Sequence, residues 1–314
     1  MAEPRLLTFN WHETYVHTLA SVGGQWDVVL RSKAGRKDWW SEVRPFPDNA
    51  RVVDEAVALE TARRGGYRAA VCHNLLDLGA IVDTGVPTAT IFHTSKAYEL
   101  ACGLDAAAFE RVGVPLLTRT TPVFVSSMKR DTWGLDGQVI APGIDLDAYE
   151  GWTGQTRAVL HVGNLKRELA AVNGMAALEQ AVAGLPFTLL GLNPTIPGAR
   201  LSSSWSDLRA NMRTHRAYVH TSLAPHEDGY NLAMLEAMAT GMPVVALAHP
   251  TTPVVDDVNG RVAADGRAAG RALLELLEDD VTAGRLGRAA RETVGRLYPV
   301  ATFRARWRNV LNLT

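Results

Sequence analysis

The chain is expected to fold as two α/β domains, each a doubly wound, Rossmann-like parallel sheet, and three observations carry this. Its 314 residues correspond to two domains at roughly 150 residues apiece. Short apolar runs alternate with stretches of helical period from one end to the other, the pattern of strands covered on both faces by helices. The alternation stops at a segment rich in Pro, Gly and polar residues, Ala141-Pro-Gly-Ile-Asp and onward to Thr153-Gly-Gln-Thr, and then restarts. That interruption puts a domain boundary near residue 150.

In the first half the strand candidates are 6–9, 27–30, 69–72, 88–92, 123–125 and 139–141. Most are unbroken apolar runs, as strands buried on both sides require. Between the second and third, residues 51–64 place Val52, Val53, Ala56, Leu59 and Glu60 at a 3.6-residue period and predict a helix ending near Gly65-Gly66. After the boundary the strand candidates are 158–162, 187–190, 217–220 and 244–247, with helices near 168–182, 230–240, 266–279 and 282–297. Residues 302–313 read as one more amphipathic helix through Phe303, Trp307, Val310 and Leu311. The expected domains are therefore 1–150 and 151–299, with a C-terminal helix over 300–314 packing back on the first. Only the topology repeats; the sequence does not.

Hydrophobic residues make up 47% and charged residues 21%, the balance of a globular protein. The 32 basic and 33 acidic side chains leave a net charge of −1, so no global field holds nucleic acid or an anionic membrane, and an anionic ligand must be bound locally. Cys72 and Cys102 lack CxxC or metal-type spacing, which argues against a disulfide framework or a zinc site. The start, Met1-Ala-Glu-Pro-Arg, lacks the regions of a signal peptide, and no apolar run reaches about 18 residues. The expected location is the cytoplasm, and nothing in the sequence supports peripheral membrane contact. No GxGxxG or Walker-type loop follows a strand and no serine elbow is visible, which counts against dinucleotide oxidoreductases, P-loop NTPases and serine hydrolases.

Open α/β sheets bind ligands beyond the carboxyl ends of their strands, and four places meet that condition. The first follows the strand ending near Ser222, where a polar loop holds Glu227 and Asp228 and a helix runs from about Tyr230 to Thr240 before Gly241 and Pro243 stop it. That helix is apolar almost all round, so Glu236, its one carboxylate, should be buried, which is costly without hydrogen-bond partners. Ligand hydroxyls would serve as partners, or Glu236 caps a neighbouring loop. The amides at the helix start, near Tyr230, Asn231 and Leu232, suit a phosphate.

This segment resembles the GT-B glycosyltransferases, in particular the retaining, nucleotide-sugar-dependent group called family 4, or glycosyl transferases group 1. That group carries a Glu, seven residues, a second Glu and then Ala-Met-Ala-x-Gly-x-Pro-Val-Val. Here Asp228, seven residues and Glu236-Ala-Met-Ala-Thr-Gly-Met-Pro-Val-Val occupy the same spacing, and Thr251-Thr-Pro-Val-Val-Asp-Asp-Val-Asn-Gly-Arg-Val resembles the segment that follows. The resemblance implies two domains facing across a cleft. It also implies transfer of a hexose from a UDP- or GDP-sugar to an acceptor hydroxyl with retention, with no cofactor and no metal. Asp228 would sit beside the donor sugar and Glu236 on the ribose, with Gly229, Tyr230, Asn231 and Leu232 lining the donor. Asp228 stands where the family has Glu, and a carboxylate one methylene shorter moves the charge by roughly 1 Å; either the loop has adjusted or Glu227 shares the role.

The second place, Leu160-His-Val-Gly-Asn-Leu-Lys-Arg-Glu, is similar to the family's strand, glycine and two basic residues. By that resemblance Gly163, Asn164, Lys166 and Arg167 hold the donor diphosphate; Asn164 replaces a frequent Arg, and the usual Lys-Gly pair is missing. The third, Val123-Phe-Val-Ser-Ser with Ala141-Pro-Gly-Ile-Asp, resembles the end of the family's first domain and reads as architecture. Asp145-Leu-Asp147 spells the Asp-x-Asp of metal-dependent GT-A enzymes, but inside a Pro-Gly turn it is read as coincidence, and no metal is predicted. The fourth comprises Asn10-Trp-His-Glu13, His73-Asn74 and His93-Thr-Ser. In the family a histidine of this domain approaches the donor sugar; His93 is assigned that part ahead of His12, the alternative being a hydrogen-bonded structural residue. Asn10, His12 and Glu13 would bind acceptor hydroxyls or take a proton. Trp39 and Trp40 either stack on a sugar or pack. The rival readings are a nucleotide-sugar epimerase, a phosphorylase, or a non-catalytic nucleotide-binding homologue.

Overall fold

The computed structural model describes residues 4–32, 35–149 and 151–313; Met1, Ala2, Glu3, Glu150 and Thr314, which entered the sequence reading, lie outside the described residues. The chain divides into two compact units, one running to Gly143 and resuming at Val300, the other Ile144–Pro299.

The first unit contains β1 (Arg5–Asn10), α1 (Glu13–Ala20), β2 (Gln25–Leu30), β3 (Ala50–Val53), α2 (Glu55–Arg63), β4 (Ala69–Cys72), α3 (Leu75–Ile81) and β5 (Thr88–Phe92). It continues through α4 (Lys96–Ala101), α5 (Ala106–Ala108), α6 (Val114–Leu117), β6 (Thr121–Phe124), α7 (Ser127–Trp133) and β7 (Gln138–Val139). The described strands pair in parallel in the order β3-β2-β1-β4-β5-β6-β7. Strand side chains alternate between faces, so each apolar run feeds two cores. Leu6, Val71, Ile91 and Val123 enter one cluster, while Leu7, Phe9, Ala70, Cys72, Phe92 and Phe124 enter the other. The C-terminal helix Val300–Val310 closes the first cluster with Phe303 and Trp307, and the Trp307 indole N–H donates to the Tyr15 hydroxyl at 3.1 Å.

The second unit contains β8 (Thr156–Val162), α8 (Ala170–Asn173), α9 (Met175–Val182), β9 (Phe187–Leu190), α10 (Trp205–Thr214), β10 (His215–His220) and α11 (Leu232–Thr240). It ends with β11 (Val244–Leu247), β12 (Arg261–Ala263), α12 (Gly266–Glu278) and α13 (Asp280–Leu297). Its parallel order is β12-β11-β10-β8-β9. Both orders are doubly wound. The direction of winding reverses between β1 and β4 in the first sheet and between β8 and β10 in the second, and the crevice beyond such a reversal is where this class of sheet binds ligands.

Several elements differ from the sequence reading. Residues 50–53 are not the first turn of a helix but the edge strand β3, with Val52 half exposed and Arg51 donating to Asp27; the helix starts only after Asp54, whose carboxylate caps Ala56 N–H at 2.9 Å. The helix α10 and β12, an edge strand of the second sheet, were not read at all. An edge strand has one unpaired side and little apolar surface, so its period is weak. The single helix expected over 168–182 is two, broken at Gly174 with φ +70°, where an added Cβ would stand 1.6 Å from the Thr221 carbonyl oxygen. Gly174→Ala therefore combines a left-handed backbone with a backbone clash; a loss of about 3 kcal/mol or more in urea unfolding is expected. An unchanged urea midpoint would mean that Gly174 and Thr221 do not pack as found.

Candidate functional site

In the second unit the loops that leave β8 and β10, the two strands at the reversal, converge. Gly163 follows β8, donates its N–H to Leu190 O at 2.9 Å, and presents its own carbonyl to the Asn193 side chain at 2.8 Å. Asn164 is exposed, and its side-chain oxygen accepts the Leu192 N–H at 2.8 Å, so this residue shapes the turn. The next two cations part company. Arg167 is exposed and reaches Thr195 O and Glu179. Lys166 is 5% exposed and donates from Nζ to Asn173 O at 2.6 Å, while its N–H donates to Asn193. Burial pushes its pKa down to about 8, with Glu227 acting in the opposite direction.

The loop after β10 carries the acids. Asp228 is 1% exposed, accepts from the Thr251 hydroxyl at 3.3 Å, and its carbonyl accepts from Ser222 Oγ at 2.6 Å. Gly229 donates to Thr251 Oγ1 at 2.9 Å, and a Cβ there would lie 2.7 Å from Thr252 N and 2.8 Å from His249 Cβ. Only glycine lets the two loops approach this closely. Glu227 is partly exposed beside this fixed pair. Tyr230 packs on Tyr298 at 5.3 Å between rings, and burial raises both phenol pKa values. Asn231 caps α11 by accepting Met234 N–H at 2.8 Å, and Leu232 opens the helix, whose first-turn amides have no intrahelical acceptors. Glu236 is 3% exposed in the middle of that helix; burial, and after it the nearby Glu236, raises the Tyr218 phenol pKa, while the Tyr218 hydroxyl lies against Val162.

Three histidines that the sequence reading passed over complete the arrangement. His161 is buried, with Nδ1 2.8 Å from Val219 O. His220 is buried, its pKa driven down to about 3 by burial and then by Lys166. His249 Nδ1 accepts the Thr251 N–H at 3.2 Å, and Asp228 works against the burial that lowers its pKa. Their one sequence signal is position, in or just after the apolar runs that become β8, β10 and β11. Asp145 caps the short turn Leu146–Ala148 by accepting the Asp147 N–H at 3.2 Å, a structural use of the Asp-x-Asp pair. Among the described residues no group of three or more His, Cys, Asp or Glu side chains is placed to hold a metal.

In the first unit the reversal gathers residues from β1, β4 and β5. Asn10 and Glu13 are buried, and Asn10 Nδ2 donates to Glu13 at 3.0 Å. His12 caps α1, its Nδ1 accepting the Tyr15 N–H at 3.4 Å. His93 stacks between His12 and His73, with ring centroids 6.2 Å and 5.2 Å away, and Tyr15 meets it edge-on at 4.8 Å. His93 Nε2 lies 2.9 Å from His73 Nδ1. Trp40 is buried under the Arg36 guanidinium, and Trp39 packs on Phe46 and donates to Arg44 O at 2.6 Å, so both tryptophans serve their own loop.

Residues 157–279 match the sequence profile of the family described as Glycosyl transferases group 1. No curated protein matches the chain by sequence. Among solved structures, HepE from Anabaena in complex with UDP and glucose is similar at 17% identity and a TM-score of 0.77, over 99% of this chain and 100% of that one. HepE has also been seen with UDP-glucose. Sucrose-phosphate synthase from Thermosynechococcus elongatus is similar at 16% identity and a TM-score of 0.70, over 96% of this chain and 97% of that one. A glycosyltransferase from Rickettsia africae is similar at 12% identity and a TM-score of 0.66, with both chains covered in full. Over residues 157–279 the chain is thus similar to the glycosyl transferases group 1, and its fold is that of the GT-B glycosyltransferases.

Proposed function

We propose that the chain is a retaining hexosyltransferase that moves a sugar from a nucleoside diphosphate, UDP or GDP, to an acceptor hydroxyl without a metal. The observation that carries this reading is Lys166: a cation held almost fully out of water, beside Glu227 and the loop of Asp228, at the reversal of the second sheet. Burying an ammonium is costly unless a counter-charge arrives, and a diphosphate is that counter-charge. The complexes of HepE with UDP and UDP-glucose support the same choice of donor.

On this reading Lys166 and the first-turn amides of α11 stabilise the departing diphosphate, the largest electrostatic task of the reaction. Gly163 admits the phosphate close to the backbone, while Asn164 holds the turn and Arg167 faces outward. Glu236 accepts the two ribose hydroxyls. Asp228 orients the sugar and stabilises its developing positive charge, with Glu227 as electrostatic partner to Lys166. The acceptor oxygen bonds to the anomeric carbon as the carbon–phosphate oxygen bond breaks on the same face, and the acceptor proton passes to the leaving phosphate oxygen. Asn10, His12, Glu13 and His93 are assigned to substrate hydroxyls. The setting we assign is the cytoplasm, which suits the free, buried thiol of Cys72.

Thermal unfolding with UDP, GDP and ADP at millimolar concentration tests the donor. A nucleotide at 100 times its dissociation constant adds about 2.7 kcal/mol, so one of them should raise Tm clearly, and Glu236→Gln should remove most of that shift. Transfer from the matching sugar nucleotide should give a product with the anomeric configuration of the donor. No Tm shift from any nucleotide would defeat the reading, and an inverted product would defeat retention.

A further inference from the structure

The first unit carries a buried polar chain that ends on His93. Thr8, fully buried in β1, lies with Oγ1 3.1 Å from the Val71 carbonyl of β4 and 3.1 Å from His73 Nε2. His73, 4% exposed, lies with Nδ1 2.9 Å from His93 Nε2. Three short contacts thus run in series from a backbone carbonyl to the ring of His93.

The protons along this chain can be counted. A carbonyl only accepts, a hydroxyl has one proton, and a neutral imidazole has one N–H and one bare nitrogen. If the Thr8 hydroxyl donates to Val71 O, then Oγ1 accepts from His73 Nε2–H. His73 Nδ1 is then bare and accepts from His93 Nε2–H, which leaves His93 Nδ1 bare. All three contacts are satisfied. In the reverse order Thr8 donates to His73, and two lone pairs face each other at 3.1 Å between Thr8 and Val71 in a site without water exposure. Leaving a buried acceptor opposed in that way costs about 1–3 kcal/mol, so the first order prevails.

We propose that Thr8 and His73 are positioning residues that hold His93 in its Nε2–H tautomer, so that His93 offers Nδ1 to a substrate hydroxyl as a hydrogen-bond acceptor. This rests on the assignment of His93 to a substrate hydroxyl. The groups facing His93 are His73 from the end of β4, His12 and Tyr15 from the start of α1, and Lys129 from α7. Burial first, then the neighbouring His73, His12 and Lys129, holds its pKa well below that of a free imidazole. His93 therefore works as a neutral orienting acceptor rather than as a proton carrier, which agrees with the acceptor proton leaving on the phosphate.

Long-range proton–nitrogen NMR of the ¹⁵N-histidine-labelled full chain reads the tautomer without any substrate. Wild-type His93 should show a protonated Nε2 and a bare Nδ1. Thr8→Val keeps the shape of β1 but removes the acceptor of His73, so His93 should redistribute between tautomers, and Thr8→Ser should restore the single form. With a sugar nucleotide, Thr8→Val should lower kcat by about tenfold and leave donor KM within about twofold, with Thr8→Ser near wild type. A protonated Nδ1 on wild-type His93, or an unchanged tautomer or unchanged kcat in Thr8→Val, would overturn the proposal. If the wild type transfers no sugar, the proposed function fails, while the tautomer measurement still decides the relay.

Discussion

Asp228→Asn is expected to lower kcat by roughly a hundredfold or more, the scale of removing one transition-state electrostatic contact, while nucleotide affinity stays within about twofold. The substitution is close to isosteric, and the surroundings keep their bonds: the Thr251 hydroxyl can donate to the amide oxygen as it does to the carboxylate, and Ser222 and Gly229 hold the loop through backbone groups. What disappears is a negative charge in a position 1% exposed, where it is little screened. Asp228→Glu, which installs the longer acid that the sequence resemblance leads one to expect here, carries the complementary test. Gly229 is already pressed against His249 and Thr252, so an extra methylene beside it overpacks the loop, at a cost of about 1–3 kcal/mol. Calorimetric binding of UDP, together with UDP release measured under saturating donor, separates affinity from turnover. If Asp228→Asn turns over normally and Glu227→Gln does not, the catalytic carboxylate is Glu227.

The sequence showed the two α/β units because both sheets are buried on both faces, and such strands are written as unbroken apolar runs; 69–72, 88–92 and 244–247 coincide with the interior strands β4, β5 and β11. It failed at β3 and β12 for the opposite reason, since edge strands carry charged and half-exposed residues, and Arg51 is there to pair with Asp27. The break at Gly174 was invisible because its cause, the Thr221 carbonyl, lies 47 residues along the chain. Motif spacing drew attention to Asp228 and Glu236, and the structure places Asp228, Gly229, Thr251 and His249 in one cluster. It could not weigh Lys166 against Arg167, because adjacent residues differ only in where the turn at Leu165, with φ 51°, aims them. Nor could it connect Thr8, His73 and His93, which three parallel strands bring into one line.

Lys166→Met is expected to weaken UDP binding by about a hundredfold, within the 2–5 kcal/mol that truncating one member of a buried charge pair costs, and at the same time to raise the Tm of the unliganded protein. The second effect follows from the sign of the pKa shift. Folded Lys166 titrates at about 8 against an ordinary 10.5, so between those values the unfolded chain holds more protons than the folded one. Its contribution to stability therefore increases as pH rises through that window. Below pH 8 the ammonium stays charged while buried, a penalty of about 3 kcal/mol that methionine, of similar length and apolar, does not carry. The hydrogen bond from Nζ to Asn173 O is lost in exchange, a smaller term of about 1 kcal/mol. A diphosphate reverses the balance by favouring the charged form. Wild-type affinity for UDP should therefore decline above pH 8 and be nearly flat with pH in Lys166→Met. Arg167→Met, whose side chain faces Thr195 and Glu179, should change neither affinity nor Tm to a comparable degree. A Lys166→Met protein that binds UDP as tightly as wild type would remove the diphosphate from this loop.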